Sequence, residues 1–278
     1  MDSNDIKQHW ESIAKKHAQD LKSTTKTPTI KKLEINAIAK IIENIQSRND
    51  SPLSALEIGC GNGHNCLSLS KMFPKLNITG VDYSCEMISN AGKLKNTEKW
   101  DKVNFFVGDI LDLENNTNLK DRYDIVFTDR CLINLNTIEL QLKALKNLSK
   151  KVKTGGHLIN IENSLETYNN QNFCRELLGL KKRIPDEYNL FIEEDVFLKV
   201  AKDKLNLRLI EINDFGSLHD IILYVLLPKI CDGNIEYSHP IMDAVTELLL
   251  NLSPKFKNSF GNFGQNRLYL FKKLDQKI

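Results

Sequence analysis

Short apolar runs that end in glycine or in a polar residue recur along the chain, each bounded by turn-forming residues. They predict strands at 55–60, 77–82, 104–109, 123–128, 157–163, 207–212 and 267–272. Apolar residues at helical spacing predict helices at 65–72, 84–94 and 138–152, and later at 218–227 and 242–250. We predict that Gly155 and Gly156 end the third of these helices. Strands that alternate with helices favour βαβ units and a parallel sheet covered on both faces.

Three long segments lie outside this alternating pattern, at 1–54, 164–206 and 213–266. No glycine-serine or proline-rich linker separates any of them from the predicted sheet. We therefore expect a single domain over 1–278, with 55–163 as its core. The three segments are expected to be additions to that core, placed where a cap can cover the carboxyl ends of the strands.

Composition and charge narrow the class of protein. The 278 residues include 38 lysines and arginines against 36 acids, a net charge of +2, and 41% are hydrophobic. This composition is typical of globular proteins, and the near-neutral charge disfavours a nucleic-acid partner. No apolar run approaches the ~18 residues that span a membrane, and the polar start is unlike a signal peptide. Six cysteines without a C-x-x-C pair also favour a soluble, cytoplasmic protein.

The segment that follows the first predicted strand is rich in glycine and reads Leu56-Glu-Ile-Gly-Cys-Gly-Asn-Gly63. Its glycines permit a tight turn and a close approach to a ligand, at a helix amino terminus whose amides face that ligand. A dinucleotide fingerprint, G-x-G-x-x-G, requires glycine at the next position, where the chain has His64. The segment 57–63 instead resembles motif I of class I S-adenosylmethionine-dependent methyltransferases.

Three further positions fit this resemblance. Asp82 ends the second predicted strand, 19 residues after the last of these glycines, where a carboxylate can accept hydrogen bonds from ribose hydroxyls. Gly108-Asp109-Ile110 ends the third strand; in this family an acid there receives the adenine amino group and an apolar neighbour packs on the ring. Lys153-Thr-Gly-Gly-His157 resembles the family's K-P-G-G turn, with Thr154 in place of proline. The resemblance covers about residues 55–163.

The resemblance implies an α/β, Rossmann-like fold with a seven-stranded, mostly parallel sheet of order 3-2-1-4-5-7-6, helices on both faces and a helical cap. It implies S-adenosyl-L-methionine as the cofactor and S-adenosyl-L-homocysteine as its product. In the family, the acid of motif I contacts the methionine end, the glycine loop lies beside the amino acid moiety, and the acid after strand two holds the ribose. The implied cofactor-binding residues are Glu57, Gly59, Cys60, Gly61, Asn62, Gly63, Asp82, Tyr83, Met87, Asp109, Ile110 and Thr128.

The end of the fourth strand faces the methyl acceptor in this family, and here it reads Phe127-Thr-Asp-Arg-Cys-Leu-Ile-Asn-Leu135. Methyltransferases of exocyclic base nitrogens carry an Asn/Asp-Pro-Pro-aromatic tetrapeptide at this place, which this chain lacks. A nucleic-acid acceptor is therefore disfavoured. A catechol-type metal site needs several acidic ligands, and the sequence offers Asp129 without a convincing second or third, so no metal is predicted.

The segments 129–135 and 161–163 resemble methyltransferases encoded among bacterial polysaccharide and sugar-modification genes. The same resemblance extends to 22–27, 33–35, 237–240, 260–265 and 267–272. It implies O-methylation of a small-molecule substrate, a sugar or a nucleotide-linked sugar.

A hydroxyl acceptor is a poor nucleophile until a base removes its proton. The candidate bases are Asp129, Glu162, His157 and His219. We expect His157 to be structural, because it begins a strand beside two glycines. Our hypothesis assigns the base to His219, because the carboxylate of Asp220 can raise its basicity. The acceptor would be oriented by Asp129, Arg130, Glu162 and Asn163; for Arg130, an acidic group of the substrate and Asp129 both remain open as partners.

The amino-terminal segment combines Trp10 with a stretch, 15–32, that contains six lysines and one aspartate. One interpretation is a solvated helix with Trp10 packed against the sheet. The other is a helical lid over 1–54, in which Trp10 shields the sulfonium while Thr25 and Lys26 meet the cofactor carboxylate or a phosphate.

The segments 164–206 and 213–266 are expected to be acceptor-side insertions. Within the first, Lys181-Lys-Arg183 is either a solvated patch or a diphosphate clamp. Two other functions stay open: N-methylation of a small amine or amino sugar, and a non-catalytic methyltransferase-like binding subunit. A nicotinamide dehydrogenase is a more distant alternative. We expect no nucleic-acid partner and no membrane span, and a homodimer is left open.

Overall fold

Seven strands form one sheet in the structure, a computed structural model that describes residues 3–48, 51–97, 100–256 and 258–275. The strands are β1 (Ser54–Ile58), β2 (Asn77–Asp82), β3 (Val103–Val107), β4 (Tyr123–Asp129), β5 (Val152–Asn163), β6 (Leu207–Asn213) and β7 (Asn266–Lys273). Their order, β3-β2-β1-β4-β5-β7-β6, confirms the predicted fold class. β1 to β5 are parallel, whereas β7 runs antiparallel to both β5 and β6.

Helices flank the sheet and fill the three long segments outside the core. They are α1 (Ser3–His17), α2 (Pro28–Gln46), α3 (His64–Met72), α4 (Cys85–Thr97), α5 (Ile138–Lys151), α6 (Leu165–Leu177), α7 (Glu194–Leu205), α8 (Ser217–Ile221), α9 (Leu227–Ile230) and α10 (Ile241–Asn251). Within the described ranges, every helix is too short or too polar to cross a bilayer.

The central strands are buried on both faces of the sheet. On one face α5 and α7 cover them, with Leu145 and Phe197 in the same apolar cluster as Val126. On the other face α2 and α3 contribute Ile38 and Leu69 to a second cluster. Because both faces are covered, the strands need the near-continuous apolar runs by which the sequence predicts them.

The prediction that Gly155 and Gly156 end helix α5 is wrong. α5 ends before them, at Lys151, and β5 already begins at the next residue. The pairing of β4 with β5 shifts register near this start, and Gly155 adopts a φ of +76°. A Cβ on Gly156 would lie 2.8 Å from the backbone oxygen of Asp124. The two glycines therefore allow a close and irregular approach of two strands.

The segment predicted as one helix at 218–227 is divided. α8 is followed by a π-helical turn, Ile222–Leu226, and then by α9. Pro228 explains the break: it has no N–H to offer the carbonyl of Tyr224, four residues earlier. A guanidinium N–H of Arg175, in α6, donates to that carbonyl instead. This turn places the ring of Tyr224 at the cavity described below.

Candidate active site

A cavity of about 870 Å³ lies at the carboxyl ends of β1 to β5. Its walls come from α1, α2 and the turn between them, from the loops after β1 and β4, from the segment after α6, and from the first residues of β7. Because β7 is antiparallel to β5, its amino end reaches this edge of the sheet. The cavity therefore lies beside the point where the strand order reverses, which is where open α/β sheets bind ligands.

The glycine loop (59–63) turns from β1 into α3. Gly59, Gly61 and Gly63 have φ values of 76°, 52° and 85°, in the left-handed region that favours glycine. A Cβ on Gly61 would lie 2.5 Å from Cγ2 of Thr24, in the turn between α1 and α2. The loop therefore packs directly against the amino-terminal segment, and any side chain at this position would separate the two.

Asp82, at the end of β2, is buried with its carboxylate beside the glycine loop. The backbone N–H of Gly61 donates to Oδ2 and that of Ser84 donates to Oδ1, both at 2.9 Å. Burial raises the pKa of Asp82 to about 6, although these amide donors favour the charged form. The carboxylate therefore has a fixed orientation and titrates close to neutral pH.

Glu57 is fully buried beneath the glycine loop. The amide of Asn65 donates to Oε1 at 2.8 Å and the thiol of Cys66 donates to Oε2 at 2.9 Å. Burial raises the pKa of Glu57 to about 7. The same Asn65 amide also donates to Oδ2 of Asp129 at 2.9 Å, so one side chain links the acid of β1 to the acid of β4.

Four charged side chains form a buried cluster at the end of β4: Lys31 and Glu34 from α2, with Asp129 and Arg130. Lys31 Nζ lies 2.6 Å from Glu34 Oε2 and 2.5 Å from Asp129 Oδ2, and Arg130 Nε lies 3.0 Å from Glu34 Oε1. Burial raises the pKa of Glu34. Burial also favours a raised pKa for Asp129, but the positive charges of Lys31 and Arg130 outweigh this effect and lower the pKa of Asp129.

This buried cluster includes two residues, Lys31 and Glu34, that the sequence analysis does not assign to the site. Their local signal is a pair of opposite charges three residues apart within an apolar helix face. Glu34 also accepts a hydrogen bond from the amide of Asn266, at 2.6 Å, and that amide group contacts Asn163. The cluster thus connects α2 to the ends of β4, β5 and β7. Arg130 pairs with Glu34 and, more distantly, with Asp129.

Glu162, a predicted catalytic residue, lies behind the cavity wall. Its carboxylate accepts a hydrogen bond from the hydroxyl of Thr128 at 2.7 Å and from the three backbone N–H groups of 131–133 at 3.1–3.3 Å. Burial raises the pKa of Glu162 to about 7. In this position it holds the turn after β4 and, through that turn, fixes Asp129 and Arg130.

His219, the predicted base, is fully buried in α8 and also lies outside the cavity wall. Its Nδ1 lies 2.7 Å from Asp220 Oδ1, and its Nε2 lies 2.9 Å from the hydroxyl of Thr29. That hydroxyl lies 2.7 Å from the hydroxyl of Thr27. Asp220 and Thr27 both line the cavity, so His219 is connected to it by hydrogen bonds at each ring nitrogen.

Most predicted site residues line the cavity: Trp10, Thr25, Glu57, Gly59, Cys60, Gly61, Asn62, Asp82, Tyr83, Met87, Asp109, Ile110, Asp129, Arg130 and Asn163. Among the residues that the structure describes, four predicted ones do not line it: Gly63, Thr128, Glu162 and His219. Gly63 packs against the ring of Phe105, 2.5 Å from the position of a Cβ. The hydroxyl of Thr128 donates to Glu162, which in turn holds the turn after β4. In this arrangement, these four residues therefore do not directly contact a ligand in the cavity.

Helix α1 closes one side of the cavity. Trp10 Nε1 donates to the side-chain oxygen of Asn134 at 3.3 Å, and its ring meets Tyr188 edge-on with centroids 5.9 Å apart. His9 stacks on the same tyrosine ring, with centroids 4.4 Å apart, and also meets Trp10 edge-on at 5.3 Å. Trp10 thus packs against the loop after β4 and the segment after α6, rather than against a face of the sheet.

The side of the cavity formed by β5 and β7 is polar and includes residues that the sequence analysis does not assign. They are Gln265 and Asn266 at the start of β7, and beside them lies Arg183, the one member of the predicted clamp 181–183 that lines the cavity. Their proximity depends on the antiparallel placement of β7, which brings its first residues to the carboxyl edge of the other strands. A local sequence pattern contains no such information.

Comparison with known proteins agrees with this geometry. Residues 49–206, more than half of the chain, match a family model described as a methyltransferase domain. A malonyl-[acyl-carrier protein] O-methyltransferase from Bacillus cereus is 28% identical over 177 residues, which cover 63% of this chain and 60% of that protein. The match to a protein of the same description from Priestia megaterium is 36% identical over 107 residues, 38% of this chain and 35% of that protein. The chain thus spans less than two thirds of these relatives.

Two solved structures share the fold. Magnesium protoporphyrin IX methyltransferase from Synechocystis PCC 6803, with bound S-adenosylhomocysteine, has a TM-score of 0.60 and 14% identity, over 98% of this chain and 100% of that chain. The N-methyltransferase NodS from Bradyrhizobium japonicum WM9 has a TM-score of 0.51 and 18% identity, over 74% and 88%. These likenesses concern the fold. Together with the family match, they lead to one assignment: the chain belongs to the methyltransferase-domain family and contains a class I S-adenosylmethionine-dependent methyltransferase domain.

Proposed function

We propose that the chain transfers a methyl group from S-adenosylmethionine to a hydroxyl of a small polar acceptor, a sugar or nucleotide-linked sugar of bacterial polysaccharide synthesis, in the cytoplasm. The observation that carries this proposal is the polar side of the cavity between β5 and β7. It is lined by Asn163, Arg183, Asp220, Gln265 and Asn266. Amide, carboxylate and guanidinium groups at this density suit an acceptor with several hydroxyls.

The opposite side of the cavity suits the nucleoside part of the cofactor. Asp82 offers a fixed carboxylate to the ribose hydroxyls, and Gly61 allows the loop backbone to approach the ligand closely. We assign Asp109 to the adenine amino group, with Ile110 against the ring. When bound, the cofactor supplies an electrophilic methyl group on its sulfonium. The protein has to place the acceptor oxygen in line with that methyl group, and this positioning provides much of the acceleration.

The acceptor hydroxyl has to lose its proton during transfer, and we propose that His219 receives it through two threonine hydroxyls. The proton passes from the acceptor to Thr27, while Thr27 gives its own proton to Thr29 and Thr29 gives its own to Nε2 of His219. Asp220 holds the N–H on Nδ1 and thereby leaves Nε2 free to accept. Asp129, whose pKa is lowered, is a weak base; we assign it, with Arg130 and Asn163, to orienting the acceptor.

The proposed organisation is one domain over 1–278 with 55–163 as its cofactor-binding core. The segment 1–54 acts as a helical lid, and Trp10 and Thr25 in the cavity wall support this assignment. The acceptor-side insertions are 164–206 and 213–266. They contribute residues to the polar side of the cavity, which supports a role in acceptor choice.

A carboxylate acceptor is a second candidate, favoured by the relatives described as malonyl-[acyl-carrier protein] O-methyltransferases. An ionised carboxylate attacks without losing a proton, so the chain from Thr27 to His219 would then have no proton to carry. N-methylation of an amine or amino sugar likewise needs no strong base, because a neutral amine already attacks.

One assay distinguishes these functions. The purified protein is incubated with S-adenosylmethionine and a panel of nucleotide sugars, free sugars, dicarboxylic acids and amines, and S-adenosylhomocysteine is measured. Product mass and fragmentation then locate the methyl group. We expect an alkali-stable O-methyl sugar. An alkali-labile methyl ester would support the carboxylate acceptor, an N-methyl product would support the amine, and no turnover with any member would contradict the proposed function.

A further inference from the structure

Arg183 occupies a prepared position in the cavity wall. Its Nη1 donates to the side-chain oxygen of Gln171 at 2.7 Å, and its Nη2 donates to that of Gln265 at 2.8 Å. The guanidinium carbon lies 3.6 Å from the centroid of the Tyr224 ring, which fixes the plane of the group. Five N–H groups belong to a guanidinium, and these contacts use two of them. The side chain is thus oriented by neutral partners, with donors left for a ligand.

The charge of Arg183 is not matched by an acid. Among the residues that the structure describes, no carboxylate lies within 4.0 Å of its guanidinium nitrogens. The nearby acids are engaged elsewhere: Asp186 with Lys26, and Asp220 with His219. By contrast, the two cations of the buried cluster, Lys31 and Arg130, each face a carboxylate.

A second guanidinium increases the local positive charge. Arg175 is buried in α6, and its side chain donates to two backbone carbonyls, those of Lys181 and Tyr224. Burial and then the charge of Arg183 lower the pKa of Arg175. Two neighbouring cations without a carboxylate are costly in a folded protein unless an anion binds between or beside them. Arg183 lines the cavity, whereas Arg175 does not, so Arg183 is the group that such an anion would reach.

We infer that Arg183 binds an anionic group of the methyl acceptor, a phosphate or a carboxylate, and thereby selects an anionic acceptor over a neutral one. This inference rests on the proposed function in placing the acceptor between β5 and β7. A planar guanidinium suits either group, because its donors match two oxygens of a carboxylate or a phosphate in parallel. The flanking Lys181 and Lys182 are exposed, and Lys182 pairs with Glu176, so the basic tripeptide 181–183 has one member at the site.

The test measures anion binding directly and does not require turnover. Inorganic pyrophosphate, malonate and glucose are each titrated calorimetrically into the full chain saturated with S-adenosylhomocysteine. We expect pyrophosphate or malonate to bind saturably and glucose to bind far more weakly. Arg183→Gln should lower the affinity for the anion by about tenfold or more, because hydrogen bonds to charged groups are strong. Lys182→Gln removes the same charge from an exposed site and should leave binding unchanged.

Binding of pyrophosphate would indicate a phosphate-bearing acceptor, and binding of malonate would indicate a carboxylate-bearing acceptor. Affinity for S-adenosylhomocysteine reports whether Arg183→Gln is folded. If that variant is not folded, Arg183→Lys is compared with Lys182→Arg. Of these two variants, only Arg183→Lys should weaken anion binding. The inference is overturned if neither anion binds saturably, or if the Arg183 variants and their Lys182 controls behave alike. It is also overturned if Arg183→Gln methylates an anionic acceptor as well as the wild type does, an outcome that leaves the proposed function intact.

Discussion

Lys31 in α2 and Asp129 at the end of β4 form an ion pair inside the protein, with Nζ 2.5 Å from Oδ2 and both side chains at most 5% exposed. The pair joins the amino-terminal segment to β4, the strand that we propose faces the acceptor. It is therefore a structural connection between the proposed lid and the proposed active site, made by two residues 98 positions apart.

Breaking this pair is expected to destabilise the fold strongly. Asp129→Asn leaves the two buried cations, Lys31 and Arg130, to share the carboxylate of Glu34, and we expect the free energy of unfolding to fall by about 3–5 kcal/mol. Urea denaturation measures it. In the double variant Lys31→Met/Asp129→Asn the loss should be smaller than the sum of the two single losses. Lys150→Gln, which removes one member of an exposed ion pair, serves as the control and should change little. Additive losses in the double variant would contradict the coupling.

Glu57 predicts a pH dependence of stability. Burial raises its pKa from the ordinary 4.5 to about 7, so the folded state holds a proton that the unfolded state has released between these values. The stability that protonated Glu57 contributes to the folded state is therefore fully present below about pH 4.5 and is lost as the pH rises through 7. Glu57→Gln should make the decline in unfolding free energy between pH 5 and 7 shallower, by up to about 1.4 kcal/mol per pH unit. Parallel curves for the wild type and Glu57→Gln would count against this, and Glu139→Gln is the exposed control.

Asp82 predicts a pH dependence of cofactor affinity. Its pKa is raised to about 6, and hydrogen bonds from ribose hydroxyls would favour the ionised form. Affinity for S-adenosylhomocysteine should therefore fall as the pH drops below about 6, approaching tenfold per pH unit. Calorimetry across pH 5–8 measures this. Asp82→Asn should bind more weakly and lose most of this dependence, whereas Asp121→Asn, at an exposed site, should retain it.

The hydrogen-bonded chain from Thr27 to His219 predicts a shared kinetic effect. With an O-methylated acceptor, His219→Phe and Thr29→Val should each lower kcat by about 100-fold or more and shift the pH profile, with unchanged affinity for S-adenosylhomocysteine. Thr246→Val removes another buried hydroxyl, one that bonds within α10, and should preserve both rate and profile. Near-normal turnover by Thr29→Val would exclude the relay.

Trp10 predicts a fluorescence signal of cofactor binding. In a Trp100→Phe background, Trp10 is the single tryptophan of the chain, and its emission should change when S-adenosylhomocysteine is added. Trp10→Ala should weaken S-adenosylmethionine binding by about twofold to 30-fold, the range of a cation–ring contact, and weaken S-adenosylhomocysteine less, because that ligand lacks the sulfonium charge. Equal losses for both ligands would contradict the shielding proposed for Trp10.

The sheet and the cofactor side of the cavity were predictable because their information is local. A strand, a glycine turn and an acid such as Asp82 follow one another within a short stretch of chain. The acceptor side was not predictable in the same way. The sequence indicates Glu162 by its place at the end of a strand and His219 by its neighbour Asp220, and neither pattern contains the distant partners with which both side chains make buried hydrogen bonds. Lys31 lies in a lysine-rich stretch, and one of its two buried partners, Asp129, is 98 positions away in sequence.

The direction of β7 has a consequence for exchanging parts between related proteins. The residues that enter β7, Gln265 and Asn266, come from the same segment as His219, and they face the polar side of the cavity. Two of these three residues bond to α2, through Glu34 and Thr29. A chimera that replaced 213–266 alone would remove both of these hydrogen bonds to α2. Transplanting acceptor specificity would thus require moving α2 together with the carboxyl-terminal segment, as one interlocked piece.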